Sequence, residues 1–377
     1  MNRNLNLLMA AVGVVGANSL VLAPVSAAVG QDLGQAPADV MQAAAAFGVA
    51  TAVSALFLAP LIDRIGAGRM MRLALLVLSV ALAASGLAPD FGWLLAAQAG
   101  AGLASGVALP AAYALAAEVA PPGRAAAALG RVLTGWTLAL VFGVTTSAIL
   151  ADLLNWRAVF GLTATAALLL AIAGRGLPDT RADRITLPWA ALPRPGVARG
   201  LLLQLAMMVA FYGTYSFLGA HLDRLGLSTL QGAIPVLAYG IGFGLAGRFD
   251  PWLDRRGYGG AAPFVFAGVA ASLVAIATLG GTLTGLTLAF FAWGLANHLG
   301  LGLLVGRLTT VAGAQRGAVL GLNSAITYLA VVLGAAGLRT AFDLGGLSLC
   351  AVIGAVLAAT IAVEALTGRD RSPAVQG

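Results

Sequence analysis

The chain has 377 residues, of which 60% are hydrophobic and 9% charged, with a mean hydropathy of +0.95. A soluble domain carries about one quarter charged residues, so this composition excludes a water-exposed globular surface. The net charge of +7 rests on 21 basic residues, all arginine and clustered between apolar runs, which argues membrane topology and not a nucleic-acid surface. Cys350 is the single cysteine, so the chain can form neither an internal disulfide nor a cysteine-based metal site.

Apolar windows of about 20 residues, the length that spans a hydrocarbon core, define the predicted elements. The first covers residues 5–28. Arg3 before it and Ser26-Ala27-Ala28 at its end resemble a secretory signal. The run is longer than a signal core, however, and holds Asn18 and Pro24, which suit a helix lining a cavity. Further windows fall at 40–61, 70–88, 92–117, 126–151 and 157–176, and a second six at 198–220, 229–248, 262–281, 286–311, 317–341 and 345–367. Between the sixes, residues 177–197 form the long polar stretch, with Pro178, Asp179, Arg184, Pro188 and Pro195. The expectation is an all-α integral membrane protein of twelve transmembrane helices. They form two pseudo-symmetric six-helix bundles, residues 1–176 and 198–377, joined by a linker over 177–197.

Counted over alternate connections, 18 of the 21 arginines fall on the side that holds both termini and the linker; Arg157, Arg224 and Arg339 fall on the other. The positive-inside rule then places both termini in the cytoplasm, in a bacterial cytoplasmic (inner) membrane. An internal repeat supports the two halves: Asp32 and Asp223, Asp63-Arg64 and Asp254-Arg255, Leu129-Gly130 and Leu320-Gly321, and Asp152-Leu153 and Asp343-Leu344 all stand 191 residues apart. Shared low complexity explains Leu-Gly but not the aspartates, and two similar halves around a midplane cavity are a common transporter plan.

After the second window the chain reads Asp63-Arg64-Ile65-Gly66-Ala67-Gly68-Arg69, and Asp254-Arg255-Arg256-Gly257 repeats it after the eighth. From Gly135, Ala139-Leu140-Val141-Phe142-Gly143-Val144 leads to Trp156-Arg157-Ala158-Val159-Phe160. These motifs resemble the major facilitator superfamily, specifically its twelve-helix drug and sugar efflux, or drug:proton antiporter, branch. The resemblance implies alternating access and a latch role, in the outward-open state, for Asp63, Arg64, Gly66 and Arg69. Glu118 and Arg131 would be charge partners, and Asp254, Arg255 and Gly257 form the second copy. An acidic group at a helix end facing a neighbouring N-terminus, with arginines bridging the loop, is the physical basis; the alternative is that these charges only set topology. The sequence departs from the branch at three places: Ala59 stands for a glycine, Val144-Thr145 and Ser147 interrupt the antiport signature, and Gln98 occupies the place of a buried arginine.

Polar side chains inside membrane helices are costly and are by default functional candidates. No Asp or Glu lies near the middle of a window, Glu364 being near the end of the last, which argues against a cation site built on carboxylates. The pathway candidates are Asn18, Gln98, Gln204, Met208, Phe211, Tyr212, Tyr215, Asn297, His298 and Asn323. Gln204, Met208, Phe211 and Tyr215 share one helical face, suited to neutral or amphipathic ligands. Interhelical hydrogen bonding is the competing reading for each amide. His298 is the proton-coupling candidate, because its residue type titrates near neutral pH; a structural histidine is the alternative. Gly102 and Gly106, like Gly240 and Gly244, have the spacing of close helix contacts.

The sequence lacks an enzyme's convergent constellation, with no DDxxD pattern, no clustered histidines and no Walker-type loop. The expectation is a transporter without catalytic residues, cofactor or metal, exporting a small amphipathic or neutral molecule, with protons and the lipid bilayer as partners, no nucleic acid, and a monomeric state. An uncoupled facilitator, an importer or a membrane sensor are the alternatives.

Overall fold

The structure is a computed structural model that describes residues 2–120, 125–179, 187–312 and 316–367. Among the described residues twelve helices are long and apolar enough to cross a membrane. They are α1 (Arg3–Leu33), α2 (Pro37–Phe57), α3 (Ala67–Gly86), α4 (Phe91–Ala116), α5 (Ala128–Leu153) and α6 (Trp156–Gly176), then α7 (Val197–Arg224), α8 (Leu230–Leu253), α9 (Arg255–Leu279), α10 (Leu283–Leu308), α11 (Ala318–Ala335) and α12 (Arg339–Thr367). Helices dominate because an apolar backbone out of water must satisfy its own N–H and C=O groups.

Local chemistry sets many of the ends. Gly34, at φ +65°, closes α1, and Gln35 N–H donates back to the Gly30 carbonyl (2.8 Å). Asp90 caps α4 by accepting from the Trp93 amide (2.8 Å), and Asn155 caps α6 through the Ala158 amide (3.0 Å). Ser228 and Gln231 form a reciprocal capping box at the start of α8. Glycine breaks the helical path inside α9 and α12: Gly257 and Gly346 leave helical geometry at φ +63°, so a short helical piece precedes each kink and the long apolar run follows it. Gly66 also has positive φ, at +103°, and stands 191 residues before Gly257. The repeated signature loop therefore carries the same backbone device in both halves, one that disfavours any side chain with a Cβ.

Helices α1 to α6 pack as one bundle and α7 to α12 as the other, meeting chiefly through α2 on α11, α5 on α8 and α1 on α7. Within the first bundle, a Cβ at Gly102 or Gly106 would overlap the carbonyl oxygens of Phe47 and Thr51, so α4 rides directly on α2. Gly240 does the same between bundles, lying against Val141 of α5. There α5 carries a five-residue π-helical segment, Ala139–Gly143, at the motif where the sequence leaves the antiporter pattern.

The described parts of the linker dock at both ends. Asp179 accepts from the Arg69 backbone amide (2.6 Å) and pairs with its guanidinium (2.9 Å), while Pro178 accepts from the Gly68 amide (3.1 Å). A 3-10 turn at Pro188–Ala191 packs on α11, with Trp189 5.9 Å from Phe57 of α2. The face carrying this linker is called the linker side below, and the opposite face the far side.

Candidate functional site

A cavity of about 2190 Å³ lies between the bundles, larger than the roughly 300–1,000 Å³ of ordinary ligand pockets. Its lining runs from Leu20, Phe211, Tyr239 and Tyr328 at the inner end to Gly196, Arg199 and Thr367 at the mouth. Those mouth residues adjoin the linker and the end of α12, so the cavity opens on the linker side. None of the described far-side turns contributes to the lining.

The far side is closed by contacts across the bundle boundary. Arg339 at the start of α12 pairs with Asp39 at the start of α2 and with Asp343 (2.9 Å). Gly219 of α7 sits against the Ala23 carbonyl of α1 with no room for a Cβ. Tyr215 donates to the Leu20 carbonyl (3.1 Å), and within the C-terminal bundle Phe217 stacks on Phe342 (4.7 Å). The other two far-side arginines are engaged as well. Arg157 pairs with Asp32, which also accepts from Trp156 (3.0 Å), and Arg224 lies 4.1 Å over the Phe342 ring.

Helix α7 supplies the floor of the cavity. Gln204, Met208, Phe211 and Tyr212 line it, whereas Tyr215 is buried beneath them. Phe211 is the hub of an aromatic cluster, stacked on Tyr215 (5.5 Å) and close to Tyr239 (5.7 Å) and Trp293 (5.3 Å). Tyr239 also accepts from Asn297 (2.5 Å), so Asn297 supports the wall and does not itself line it. Asn323 of α11 lines the cavity.

Asn18 and Gln98 lie elsewhere. They bond to each other (3.1 Å), and Gln98 donates to Ser85 (3.0 Å), forming a neutral bridge among α1, α3 and α4 outside the lining. Such an intramembrane bond contributes about 0.6 kcal/mol, with an upper range near 2. A 3.6-residue period identifies the face of a helix but not whether the cavity or a neighbouring helix meets it.

His298 faces the cavity. Its Nε2 lies 3.0 Å from Asp250 Oδ1, its ring meets Phe243 edge-on at 4.8 Å, and Nδ1 has no partner. The sequence reading missed Asp250, which sits at the boundary between α8 and α9 where a carboxylate reads as loop chemistry. It also left Glu364 outside the pathway. The structure brings Arg199, Arg307 (3.4 Å) and the Tyr258 hydroxyl (3.2 Å) onto the Glu364 carboxylate, joining α7, α9, α10 and α12 at the cavity wall. Both carboxylates reach the cavity lining from helix ends, and neither lies near the middle of an apolar window. Only side-chain packing across four helices reveals this.

In the signature loop, Asp63 and Arg64 occupy a short helical turn, Ile62–Ile65, and Arg69 engages Asp179, a partner that the sequence reading did not name. Arg131 donates to Asn6 (2.8 Å), and Glu118 ends the α4 helical run. Arg255 is exposed beside Gly257, while the side chain of Asp254 lies outside the described residues.

Comparison with known proteins agrees with this architecture. Residues 7–335 match the sequence profile of the Major Facilitator Superfamily. The uncharacterized MFS-type transporter YwfA of Bacillus subtilis is 26% identical over 303 residues, 77% of this chain and 73% of that protein. A Helicobacter acinonychis protein described as a "Probable sugar efflux transporter" is 30% identical over 173 residues, 45% of this chain and 44% of its own length. The fold is similar to that of a bacterial homologue of the human lysosomal transporter Spinster, solved in an inward-facing and unoccupied conformation. That likeness has a TM-score of 0.68 and 18% identity, covering 97% of this chain and 92% of the other. The chain is a multi-pass membrane protein that belongs to the major facilitator superfamily of transporters.

Proposed function

We propose that this protein exports a small amphipathic or neutral molecule by alternating access, coupled to proton entry, with the linker side in the cytoplasm. The observation that carries the reading is a large cavity, open at one end and sealed at the other, between two six-helix bundles. An asymmetric opening of this kind is one half of a rocking cycle about a midplane site. The arginine asymmetry supports the orientation. Export is favoured by the similarity to a sugar efflux protein.

For coupling, the His298–Asp250 pair is the proposed proton site. It faces the cavity, where the described lining also holds Glu364, Arg199, Arg307 and the tyrosines Tyr113, Tyr212, Tyr239, Tyr258 and Tyr328. Imidazole is the side-chain type suited to exchange a proton near neutral pH, and pairing with a carboxylate gives the proton a defined seat. The latch role of Asp63, Arg64 and Gly66 belongs to the opposite, outward-open state. A second reading, an uncoupled facilitator, is favoured by the neutral Asn18–Gln98 bridge at the place of the resemblance's buried arginine.

Everted membrane vesicles holding a respiration-driven pH gradient test the proposal. Addition of a transported compound should collapse the gradient, reported by an acid-sensitive dye, only when the protein is present. In His298→Ala and Asp250→Asn the collapse should fall at least tenfold while compound binding persists. Flux of labelled compound that is independent of pH and unaffected by His298→Ala would replace antiport with the facilitator.

A further inference from the structure

The two walls of the cavity differ in kind. From the N-terminal bundle come Leu109, Tyr113, Leu129, Leu133 and Trp136, and the polar atoms among them satisfy one another: Trp136 donates to Tyr113 (3.4 Å). Thr134, on the same wall, donates to the Arg131 carbonyl (2.6 Å). Every charged side chain in the described lining belongs to the C-terminal bundle, and these groups are already paired, Glu364 with Arg199 and Arg307, Asp250 with His298.

Beside His298 Nδ1, the unpartnered atoms of the residues in that wall are neutral. Gln204 Oε1, Asn323 Oδ1 and the Tyr328 hydroxyl lack hydrogen-bond partners, although Gln204 is 2% exposed and Tyr328 1%. Buried polar groups are normally bonded. Three such orphans on residues that line one cavity therefore mark the place of a bound molecule. Because Glu364 and Asp250 already hold Arg199, Arg307 and His298 Nε2, an ionic ligand would compete with a pair, whereas an uncharged one with O–H or N–H donors can supply the bonds that Gln204, Asn323 and Tyr328 lack.

Resting on the cavity as the transported molecule's site, we infer that the substrate is an uncharged amphiphile bearing hydroxyl or N–H donors. Its polar face is held by Gln204, Asn323 and Tyr328 of the C-terminal bundle, and its apolar face lies on the Trp136 wall. The C-terminal bundle thus reads the substrate, and the N-terminal bundle supplies a surface that asks only for apolar area.

Titration calorimetry on the full chain in lipid nanodiscs tests this with three probes sharing one aryl group: p-nitrophenyl β-glucoside, p-nitrophenyl β-glucuronide and p-nitroanisole. The glucoside should bind at least tenfold more tightly than the charged glucuronide and the hydroxyl-free anisole. Gln204→Leu and Asn323→Leu should each weaken the glucoside about tenfold and leave p-nitroanisole unchanged, which also shows that the variants are folded. Tyr328→Phe, which removes one oxygen, provides the mildest version, with a several-fold loss. The inference is overturned if the glucuronide binds best, if glucoside and anisole bind equally or neither binds, or if the variants weaken both. Binding is read without flux, so glucoside binding in a protein that moves nothing would overturn the transport reading alone. Flux of ionic compounds with no glucoside binding would overturn this inference alone.

Discussion

The two ends of the molecule solve opposite problems with different chemistry. At the far side the bundles touch through backbone against backbone, Gly219 on the Ala23 carbonyl, reinforced by the Asp39–Arg339 pair. At the linker side a wide mouth carries charged groups that face water and are paired within one bundle, as Glu364 is with Arg199 and Arg307. The lesson is that charges between bundles hold a state, while charges within a bundle hold a wall. Breaking the first kind should shift the conformational equilibrium, and breaking the second should change the cavity.

The largest effect is expected from Gly219→Val. The added carbons have no space against Ala23, and overpacking of this kind costs about 1–3 kcal/mol or more, all of it charged to the sealed far side. Leu20→Cys in a background without Cys350 reports the result with a membrane-impermeant maleimide. Without Gly219→Val, labelling should come from the linker side; with it, labelling should come from the far side, and transport should be lost. Unchanged labelling would show that the contact does not hold the closure.

Arg339→Ala should act in the same direction with less force. The pair is partly solvated, at 30% and 32% side-chain exposure, so its loss should shift the balance by about 1 kcal/mol, roughly fivefold, less than for a fully buried pair. A double-variant cycle with Asp39→Ala, read by the same labelling rate, should show non-additivity if the two side chains act as a unit.

Asp179→Ala should have the smallest effect. It removes the partner of the half-exposed Arg69 within the linker's docking on α3, costing about 1 kcal/mol or less. A fall of a few degrees in the unfolding temperature in detergent, with far-side labelling unaltered, would place this contact on the stability side of the comparison.

The twelve helices and the repeat were legible because membrane solvent writes itself into the chain as long apolar windows with arginine punctuation. The offset shared by Asp63 and Asp254 also relates two positive-φ glycines, Gly66 and Gly257, which the structure shows. The site was less legible for a physical reason. Gln204, His298 and Asn323 stand out as polar residues in apolar runs, yet so do Asn18 and Gln98, which face each other and not the cavity. Asp250 and Glu364 sit near helix ends, where charge has an ordinary explanation. Trp156 sits at a helix start, yet it is 3% exposed and donates to Asp32. Sequence periodicity marks cost; only packing shows who shares it.

The π-helical turn in α5 gives that helix two jobs. One residue added to a turn rotates everything beyond it by about 100° relative to an unbroken α-helix, since each residue of a 3.6-residue turn sweeps that angle. Below Ala139, Leu133 and Trp136 face the cavity; within the turn, Val141 meets Gly240 of the opposite bundle. The same rod thus lines the cavity before the turn and meets the opposite bundle within it, and Thr137, which lines the cavity and would touch a Cβ at Gly244, belongs to both. A substitution at Thr137 would therefore alter the wall and the bundle contact together.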